Sequence, residues 1–227
     1  MSTATVVPEG HEGASPHVDG RRARGDNTRR AILRRAMQIA SIEGLDGLSL
    51  AGLAAELDMS KSGLFAHFGS KEELQLSTLR AARRVFSDEA IAPVGSTPEG
   101  IRRLHALLDT WFGYITTDTF AGGCLFMHAA AEFDSRPGKV RDLIAETMRM
   151  FMDLLVEQVR AGVERGELEP DTDAVQLAWE LHAYGLALNW DHQLYGDVSA
   201  TDRARIALES RLRAAATKKG RRRLAES

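Results

Sequence analysis

The amino-acid sequence predicts an all-α protein in two parts, a small N-terminal unit of three helices and a larger C-terminal helical region. Apolar residues recur at three- and four-residue spacing along most of the 227 residues. Ser, Thr and Asp stand where the predicted helices begin, and Gly or Pro stands where they end. No stretch of the sequence alternates polar and apolar residues over the length of a strand, so we expect no sheet.

Composition sets broad limits on the class of protein. The hydrophobic content of 44% and the charged content of 27% are typical of globular proteins. No apolar run approaches the roughly 18 to 20 residues that a membrane span needs, and the N-terminus has no apolar core of a secretory signal. The single cysteine, Cys124, excludes an internal disulfide. We therefore expect a cytoplasmic protein with no membrane partner.

The chain begins with residues 1–26, which are rich in Gly, Pro, Ser and His, have no periodicity and predict a disordered leader. Its basic end, Arg21 to Arg24, is either an arm that contacts DNA or a solubilising tail. From Thr28 an apolar stripe at helical spacing predicts the first helix, and Gly44 ends it.

Residues 49–68 predict two short helices joined by a tight turn. Ser49 and Ser60 are in position to cap them, and the segment 58–60 is too short for anything but a turn. In the second short helix we expect three residues on the buried side, Leu64, Phe65 and Phe68. Four residues are left to face outward, Lys61, Ser62, Gly63 and His67. A short helix with a polar face, held by a turn against another helix, fits the major groove of DNA.

The N-terminal third resembles the tetracycline-repressor (TetR) family of bacterial transcriptional regulators. The resemblance runs without a gap from Thr28 through Gly44-Leu45-Asp46-Gly47-Leu48-Ser49 to Leu64-Phe65-Ala66-His67-Phe68-Gly69-Ser70-Lys71-Glu72-Glu73-Leu74. It implies a helix-turn-helix DNA-binding domain over residues 27–73 and a helical effector-binding and dimerisation domain over residues 74–216. The residues that it implies in DNA binding are Thr28, Ser49, Ser60, Lys61, Ser62, Gly63, Phe65, His67 and Lys71.

Two residues depart from the family pattern. Asp58 stands at the turn where the family usually has Gly, and Asp tolerates a positive φ better than most residues. Phe65 stands where the family often has a Tyr that contacts phosphate, and Phe lacks the hydroxyl. We therefore expect the turn to form and one contact with the DNA backbone to be missing.

The charge distribution agrees with a DNA-binding head, although the net charge of the chain is −3. Residues 21–71 hold nine Lys and Arg against five Asp and Glu, whereas residues 72–216 hold fifteen against twenty-three. Positive charge thus coincides with the helix-turn-helix, where phosphates would lie.

The C-terminal region predicts six further helices followed by a disordered basic tail over residues 217–227. The helices span about residues 71–92, 97–119, 122–133, 136–165, 173–195 and 199–215. Ser70 to Glu73 forms a capping box, and Thr97-Pro98-Glu99 predicts a cap with Pro in the first turn. The resemblance implies that the last two long helices form a homodimer interface.

An effector pocket is predicted between these helices because aromatic and Met side chains could line an apolar cavity. The candidates are Trp111, Phe112, Tyr114, Cys124, Phe126, Met127, Met148, Phe151, Met152, Trp179 and His182. The alternative for each of them is a place in the packed core. Cys124 raises a further alternative, a redox- or electrophile-sensing thiol, but nothing basic adjoins it in sequence to lower its pKa.

The sequence therefore predicts a homodimeric regulator, most of all a repressor, that a small molecule releases from a palindromic operator in double-stranded DNA. No cofactor or metal is expected. Two other classes of function explain the sequence less well: a helical interaction adaptor, which leaves the basic head unexplained, and an enzyme using scattered His and acidic residues such as His128 and Glu132. The latter pair is four residues apart but matches no strong metal or nucleophile motif.

Overall fold

The computed structural model describes residues 16–226, with side chains from residue 25 onward, and these residues are organised as α-helices. The helices are α1 Pro16–Gly47, α2 Leu50–Glu56, α3 Lys61–Phe68, α4 Lys71–Phe86, α5 Ile101–Thr116, α6 Leu125–Phe133, α7 Lys139–Glu164, α8 Ala174–Tyr195, α9 Ala200–Ala215 and α10 Lys218–Leu224. A π-helical turn, Ser87–Ile91, and a 3₁₀ turn, Ala92–Val94, extend α4. The described part of the chain has no strand, which confirms the all-α prediction.

The N-terminal head packs α1, α2 and α3 around one apolar core. Its fully buried side chains include Ile32 and Ala36 from α1, Leu53 from α2 and Leu64 from α3. Each short helix begins at a serine whose hydroxyl accepts a backbone N–H in the first turn, at 3.0 Å for both Ser49 and Ser60. Both short helices therefore begin where the sequence predicts their caps.

The C-terminal part packs α5 against α7, α8 and α9, with α6 between α1 and α7. The apolar stripe of α5 is buried throughout, from Ile101 to Ile115. Helix α4 contacts α1 in the head and α7 in the C-terminal part, and so joins the two. No helix within residues 16–226 is both long enough and apolar enough to cross a membrane.

Both predicted disordered ends are in part helical. Helix α1 begins at Pro16, so residues 16–26 of the expected leader continue the first helix, while residues 1–15 lie outside the described part of the chain. Arg and Ala are good helix formers, and extending an existing helix avoids the cost of nucleating a new one. At the other end, Thr217 caps α10, and Leu224 is only 5% exposed.

The tail is ordered because it is anchored to a distant loop. The Thr217 backbone N–H donates to the Glu167 carbonyl at 3.0 Å, and the Thr217 hydroxyl donates to the Gly166 carbonyl at 2.8 Å. The Lys219 ammonium donates to the Arg165 carbonyl at 2.6 Å. These partners lie some fifty residues earlier in the chain, so the charge of the tail gave no sign of them.

Helix α5 begins later than Thr97-Pro98-Glu99 predicts. Its N-cap is Gly100, which has a positive φ of 100°. The first free N–H of the helix, on Ile101, donates to the carboxylate of the buried Glu167 at 3.0 Å. A carboxylate from another element therefore takes the place of the local cap.

Candidate DNA-binding surface and ligand cavity

The polar side of α3 faces solvent, as the sequence predicts. Ser60, Lys61 and Ser62 are exposed at its start, and Gly63 and His67 are half-buried farther along. The Ser60 and Ser62 hydroxyls lie 3.2 Å apart. Of the other residues predicted to bind DNA, Ser49 and Lys71 are exposed and Thr28 is half-buried. Their contacts with DNA stay predictions.

Phe65 is 54% exposed, so the prediction that it belongs to the buried side of α3 is wrong. Leu64 and Phe68 are four residues apart on the inward face of the helix, and both are buried. Phe65 lies about 100° around the helix from Leu64 and projects from the exposed face instead. An exposed aromatic ring thus lies where the family pattern expects a side chain that faces DNA.

Asp58 adopts φ 50°, the positive value expected at the turn before α3. It is the only residue other than glycine with positive φ in the described part of the chain. The turn therefore forms with aspartate in a backbone conformation that costs an L-residue roughly 1 to 2 kcal/mol.

Lys71, expected to bind phosphate, is held within the protein. Its ammonium donates to the backbone carbonyl of Asp46 at 2.6 Å and lies 3.4 Å from the Asp46 carboxylate. Arg136, from the loop after α6, pairs with the same carboxylate. These two cations, Arg136 first, lower the pKa of Asp46. Lys71 remains exposed, so it can reach phosphate only by sharing or leaving Asp46.

Arg29 is a residue of the head that the sequence analysis missed. Its guanidinium donates to the His67 carbonyl and, at 2.8 Å, to the Ser77 hydroxyl, and it lies 4.4 Å from the centre of the Phe68 ring. It therefore fixes α3 against α1 and α4. One signal could have found it, because Arg29 stands one turn before Ile32 on the apolar stripe of α1.

A cavity lies among α4, α5, α6, α7 and α8, with an empty volume of about 360 Å³ including its mouth. Seven of the eleven predicted pocket residues line it: Trp111, Cys124, Phe126, Met127, Met148, Phe151 and His182. Phe86 and Thr147 line it too and were missed; Phe86 ends α4, a helix from which the sequence analysis took no pocket residue. No charged side chain of the described residues lines this cavity.

Four predicted pocket residues lie elsewhere, contrary to the sequence prediction. Phe112 is fully buried in the core, and Met152 packs against that core. Tyr114 packs edge-on against Phe86 at 5.4 Å between ring centres. Trp179 is 61% exposed on the outer side of α8. Periodicity identified inward positions on α5 and α7 but could not tell which of them border empty space.

Three rings make up one wall of the cavity. Trp111 stacks on His182 at 5.1 Å and meets the edge of Phe151 at 4.9 Å. Burial lowers the pKa of His182, so the imidazole is neutral at pH 7. Burial also raises the pKa of the Cys124 thiol, which keeps it protonated. A reactive thiol has a lowered pKa, whereas that of Cys124 is raised, which weighs against the redox-sensor alternative.

A stripe of exposed apolar side chains, which we call the α8 stripe, follows the outer side of α8. It comprises Val175, Trp179, Leu186, Trp190 and Leu194. Ile206 on the neighbouring α9 is exposed as well. These two helices are the ones to which the family resemblance assigns the dimer interface.

His128 and Glu132, the pair considered for an enzyme site, both contact the backbone of α1. The His128 Nδ1 atom lies 2.9 Å from the Ser41 carbonyl, and the Glu132 carboxylate accepts two backbone N–H groups. Within residues 16–226, no group of three or more His, Cys, Asp or Glu side chains is arranged to hold a metal ion.

Comparison with known families agrees with the geometry of both parts. The family model "Bacterial regulatory proteins, tetR family" matches residues 32–77, which hold the helix-turn-helix. A second model, "Tetracyclin repressor-like, C-terminal domain", matches residues 100–208, which hold the α8 stripe and all of the cavity lining except Phe86. The chain belongs to the TetR family. It is a DNA-binding transcriptional regulator and not an enzyme.

Individual relatives are distant. The HTH-type transcriptional regulator UidR of Escherichia coli strain K12 is 23% identical over 190 residues, which cover 84% of this chain and 91% of UidR. A TetR regulator from Chloroflexus aurantiacus superposes with a TM-score of 0.79 at 21% identity, covering 86% of this chain and 98% of that one. AibR, in complex with isovaleryl coenzyme A and operator DNA, superposes with a TM-score of 0.67 at 21% identity, covering 80% and 96%.

Proposed function

We propose that this TetR-family regulator is a homodimeric repressor that binds a palindromic operator and is released when an uncharged small molecule occupies the cavity. The observation that carries the proposal is the exposed polar face of α3. The opposite face of this helix, with Leu64 and Phe68, is buried in the core of the head. A repressor acting on operator DNA would work in the cytoplasm.

DNA binding is supported by the way the head is built. Lys61, Ser60 and Ser62 cluster at the N-terminal end of α3, where recognition helices contact base edges. Arg29 fixes the orientation of α3, so little conformational freedom has to be lost on binding. The excess of basic residues over residues 21–71 supplies the salt-dependent attraction to phosphate.

Dimerisation is supported by the α8 stripe. Its side chains recur at four- and seven-residue spacing, and such a pattern on an outer helix face is typical of a helix that packs against another helix. A two-fold dimer presents two recognition helices about 34 to 36 Å apart, one turn of DNA, and so reads a palindrome. We expect W179E to yield monomers in sedimentation or light scattering, with M150E, which adds the same charge on α7, as the matched control. A dimeric W179E at the lowest measurable concentration would refute this interface.

The class of effector follows from the cavity lining. Its aromatic and Met side chains favour an apolar compound, and the absence of a charged lining residue disfavours an ionic one. AibR, a structural neighbour with the same fold, was crystallised with both isovaleryl coenzyme A and operator DNA, which supports a link between the two kinds of ligand. The cavity of this chain is narrow, so Met127 and Met148 would have to change rotamer to admit a larger molecule.

The proposed function is tested by titrating the protein into duplex DNA from upstream of its own gene and into an unrelated duplex, across a salt series. We expect selective binding with a steep salt slope for the first duplex. K61A should weaken selective binding, whereas K71A should weaken binding to both duplexes equally and reduce the salt slope by about one. K218A, which removes an exposed lysine from α10, is the matched control. Equal losses for all three variants would contradict the assignment of α3 as the reader.

A further inference from the structure

We propose that Glu132 couples the ligand cavity to the DNA-binding head by holding the turn Gly44–Gly47 at the end of α1. This inference rests on the proposed function and specifies how its two sites communicate. The Glu132 Oε2 atom accepts the Leu45 N–H at 2.7 Å, and Oε1 accepts the Asp46 N–H at 2.7 Å. One carboxylate thus binds two consecutive backbone amides of the head with charge-assisted hydrogen bonds.

The backbone of the turn is shaped to receive this carboxylate. Gly44 breaks the helical path of α1 with φ 79° and ψ 168°. A Cβ atom at Gly44 would lie 2.8 Å from Glu132 Oε2, so a larger residue would displace the carboxylate. The contact therefore depends on Gly44 and Glu132 together, although 88 positions separate them in the sequence.

The same turn is held from the other side by α4. The Gln75 side chain, buried on α4, donates to the Leu45 carbonyl at 2.9 Å. Lys71, in the first turn of α4, donates to the Asp46 carbonyl at 2.6 Å. Leu45 and Asp46 are therefore bound through their N–H groups to α6 and through their carbonyls to α4. Because α4 follows α3 after only two residues, a shift of the turn moves the recognition helix.

The other end of α6 lies at the cavity. Cys124, its N-cap, and Phe126 and Met127, in its first turn, line the cavity wall. Met127 precedes Glu132 by five residues, a rise of about 7.5 Å along one short helix. A ligand that pushes on Met127 therefore acts on the helix that carries Glu132.

The start of α6 is also fixed on the last helical turns of α1. His128 Nδ1 lies 2.9 Å from the Ser41 carbonyl, and the Gly122 N–H donates to the Ser41 hydroxyl at 3.3 Å. A Cβ atom at Gly122 would lie 1.7 Å from the Ser41 carbonyl oxygen, so the two backbones are in direct contact. Helix α6 and the loop before it are thus attached to α1 at Ser41 as well as at the turn that Glu132 holds.

A second route between the sites is available through α4, because Phe86 lines the cavity near the end of that helix. The two routes predict different results for a variant of Glu132. If α4 alone carries the coupling, the loss of the Glu132 contacts leaves it unchanged.

Reciprocity allows a test without knowledge of the effector, because DNA bound at the head must alter the cavity by the same coupling free energy. Cys124 is the only thiol of the chain and lies in the cavity wall, so its alkylation by iodoacetamide reports the opening of the cavity. The rate is measured with and without a saturating duplex selected in the titration above. In the unsubstituted protein we expect DNA to slow alkylation by about fivefold or more.

The variants E132Q and E132D should remove this effect of DNA. Gln retains one acceptor but turns an NH₂ group toward the second amide, and Asp is too short to reach both amides. Both should still bind the duplex at saturation, yet alkylate at nearly the same rate with and without it. E164Q, an exposed carboxylate on α7, should behave as the unsubstituted protein. Circular dichroism confirms that each variant is folded, and E132D retains the charge if E132Q does not fold.

Three results would overturn the inference. An undiminished effect of DNA in folded E132Q or E132D would assign the coupling to α4. Alkylation that DNA leaves unchanged in the unsubstituted protein, under conditions where binding is saturated, would exclude coupling, and with it this inference and the proposed release by a ligand, but would leave operator binding intact. Absence of selective DNA binding in the titration would remove the proposed function, and this inference with it.

Discussion

Replacing Gly185 with alanine is expected to destabilise the protein by about 2 kcal/mol, although Gly to Ala inside a helix ordinarily stabilises. Gly185 lies within α8 and faces the Trp111 ring. An added Cβ atom would lie 2.2 Å and 2.3 Å from two carbons of that ring. Ordinary van der Waals contact begins near 3.4 Å, so the ring would have to move by about 1.2 Å.

Two neighbouring rings restrict this movement, although Trp111 borders the cavity on another side. Trp111 is 2% exposed and is held between the stacked His182 and the edge of Phe151. Overpacking of a dense core costs about 1 to 3 kcal/mol, and a displaced indole belongs at the upper end. The helix propensity of alanine returns up to about 1 kcal/mol, which leaves a net loss near 2 kcal/mol. A chain of this size loses about 2 to 4 °C of Tm per kcal/mol, so we expect a decrease of about 4 to 8 °C.

The matched control is G113A, the same substitution inside α5. Nothing lies within 4 Å of a Cβ atom at Gly113, so the propensity term acts alone and Tm should rise by about 2 °C. Both variants are compared by thermal unfolding at 222 nm at one protein concentration, because dimerisation makes Tm depend on concentration. A G185A protein as stable as the unsubstituted one would refute the overpacking argument. In a W111L background the cost of G185A should largely disappear.

Three further substitutions test the head, the cavity and the tail. D58G should raise the free energy of unfolding by about 0.5 to 1 kcal/mol in urea titrations, because Gly adopts the positive φ of this turn without strain; no gain would mean that Asp58 has a compensating contact. Since burial lowers the pKa of His182 below 6.5, its neutral form stabilises the fold fully above pH 6.5, and this contribution is lost as the pH falls from 6.5 toward the folded pKa. The Tm of H182F should therefore decrease less than that of the unsubstituted protein between roughly pH 7.5 and 5, the range in which an imidazole titrates. The same decrease in both proteins would exclude His182 as its cause. L224A should lower the free energy of unfolding by about 2 kcal/mol if the tail helix is packed as described, and not at all if the tail is free.

The sequence predicted best those elements whose determinants are local. The caps of α2, α3 and α4 are serines that bind N–H groups three residues ahead, and all three helices begin where predicted. Ser70, the third of these caps, accepts the Glu73 N–H at 3.1 Å. Such contacts depend on few residues and on standard geometry, so a pattern of sequence letters contains the information.

The errors occur where the deciding partner is remote in sequence. Helix α5 begins at Ile101 because Glu167, 66 positions later, accepts its first N–H. The tail is helical because Thr217 bonds to the loop before α8. Lys71 is paired with Asp46 and, through that carboxylate, with Arg136. Capping and charge rules evaluate neighbours along the chain and cannot weigh these contacts.

The cavity shows a third limit of prediction from the sequence. Helical periodicity marks Trp111 and Phe112 equally as buried, yet Trp111 borders the cavity and Phe112 is enclosed in the core. The difference depends on what faces each ring, and Trp111 faces Phe151 and His182, which line the cavity with it. A void is a property of several elements at once, so no single periodic pattern predicts it.

The domain boundary predicted between residues 73 and 74 falls inside α4, and the packing of that helix gives the boundary a functional meaning. Its first half, with Leu74 and Gln75 buried, packs on α1, whereas Phe86 at its end borders the cavity. A continuous helix cannot tilt at one end without moving the other. The head is thus attached to the effector domain through α4 and, separately, through Glu132 on α6. Both helices border the cavity, so under the proposed function a ligand there contacts both attachments of the head at once.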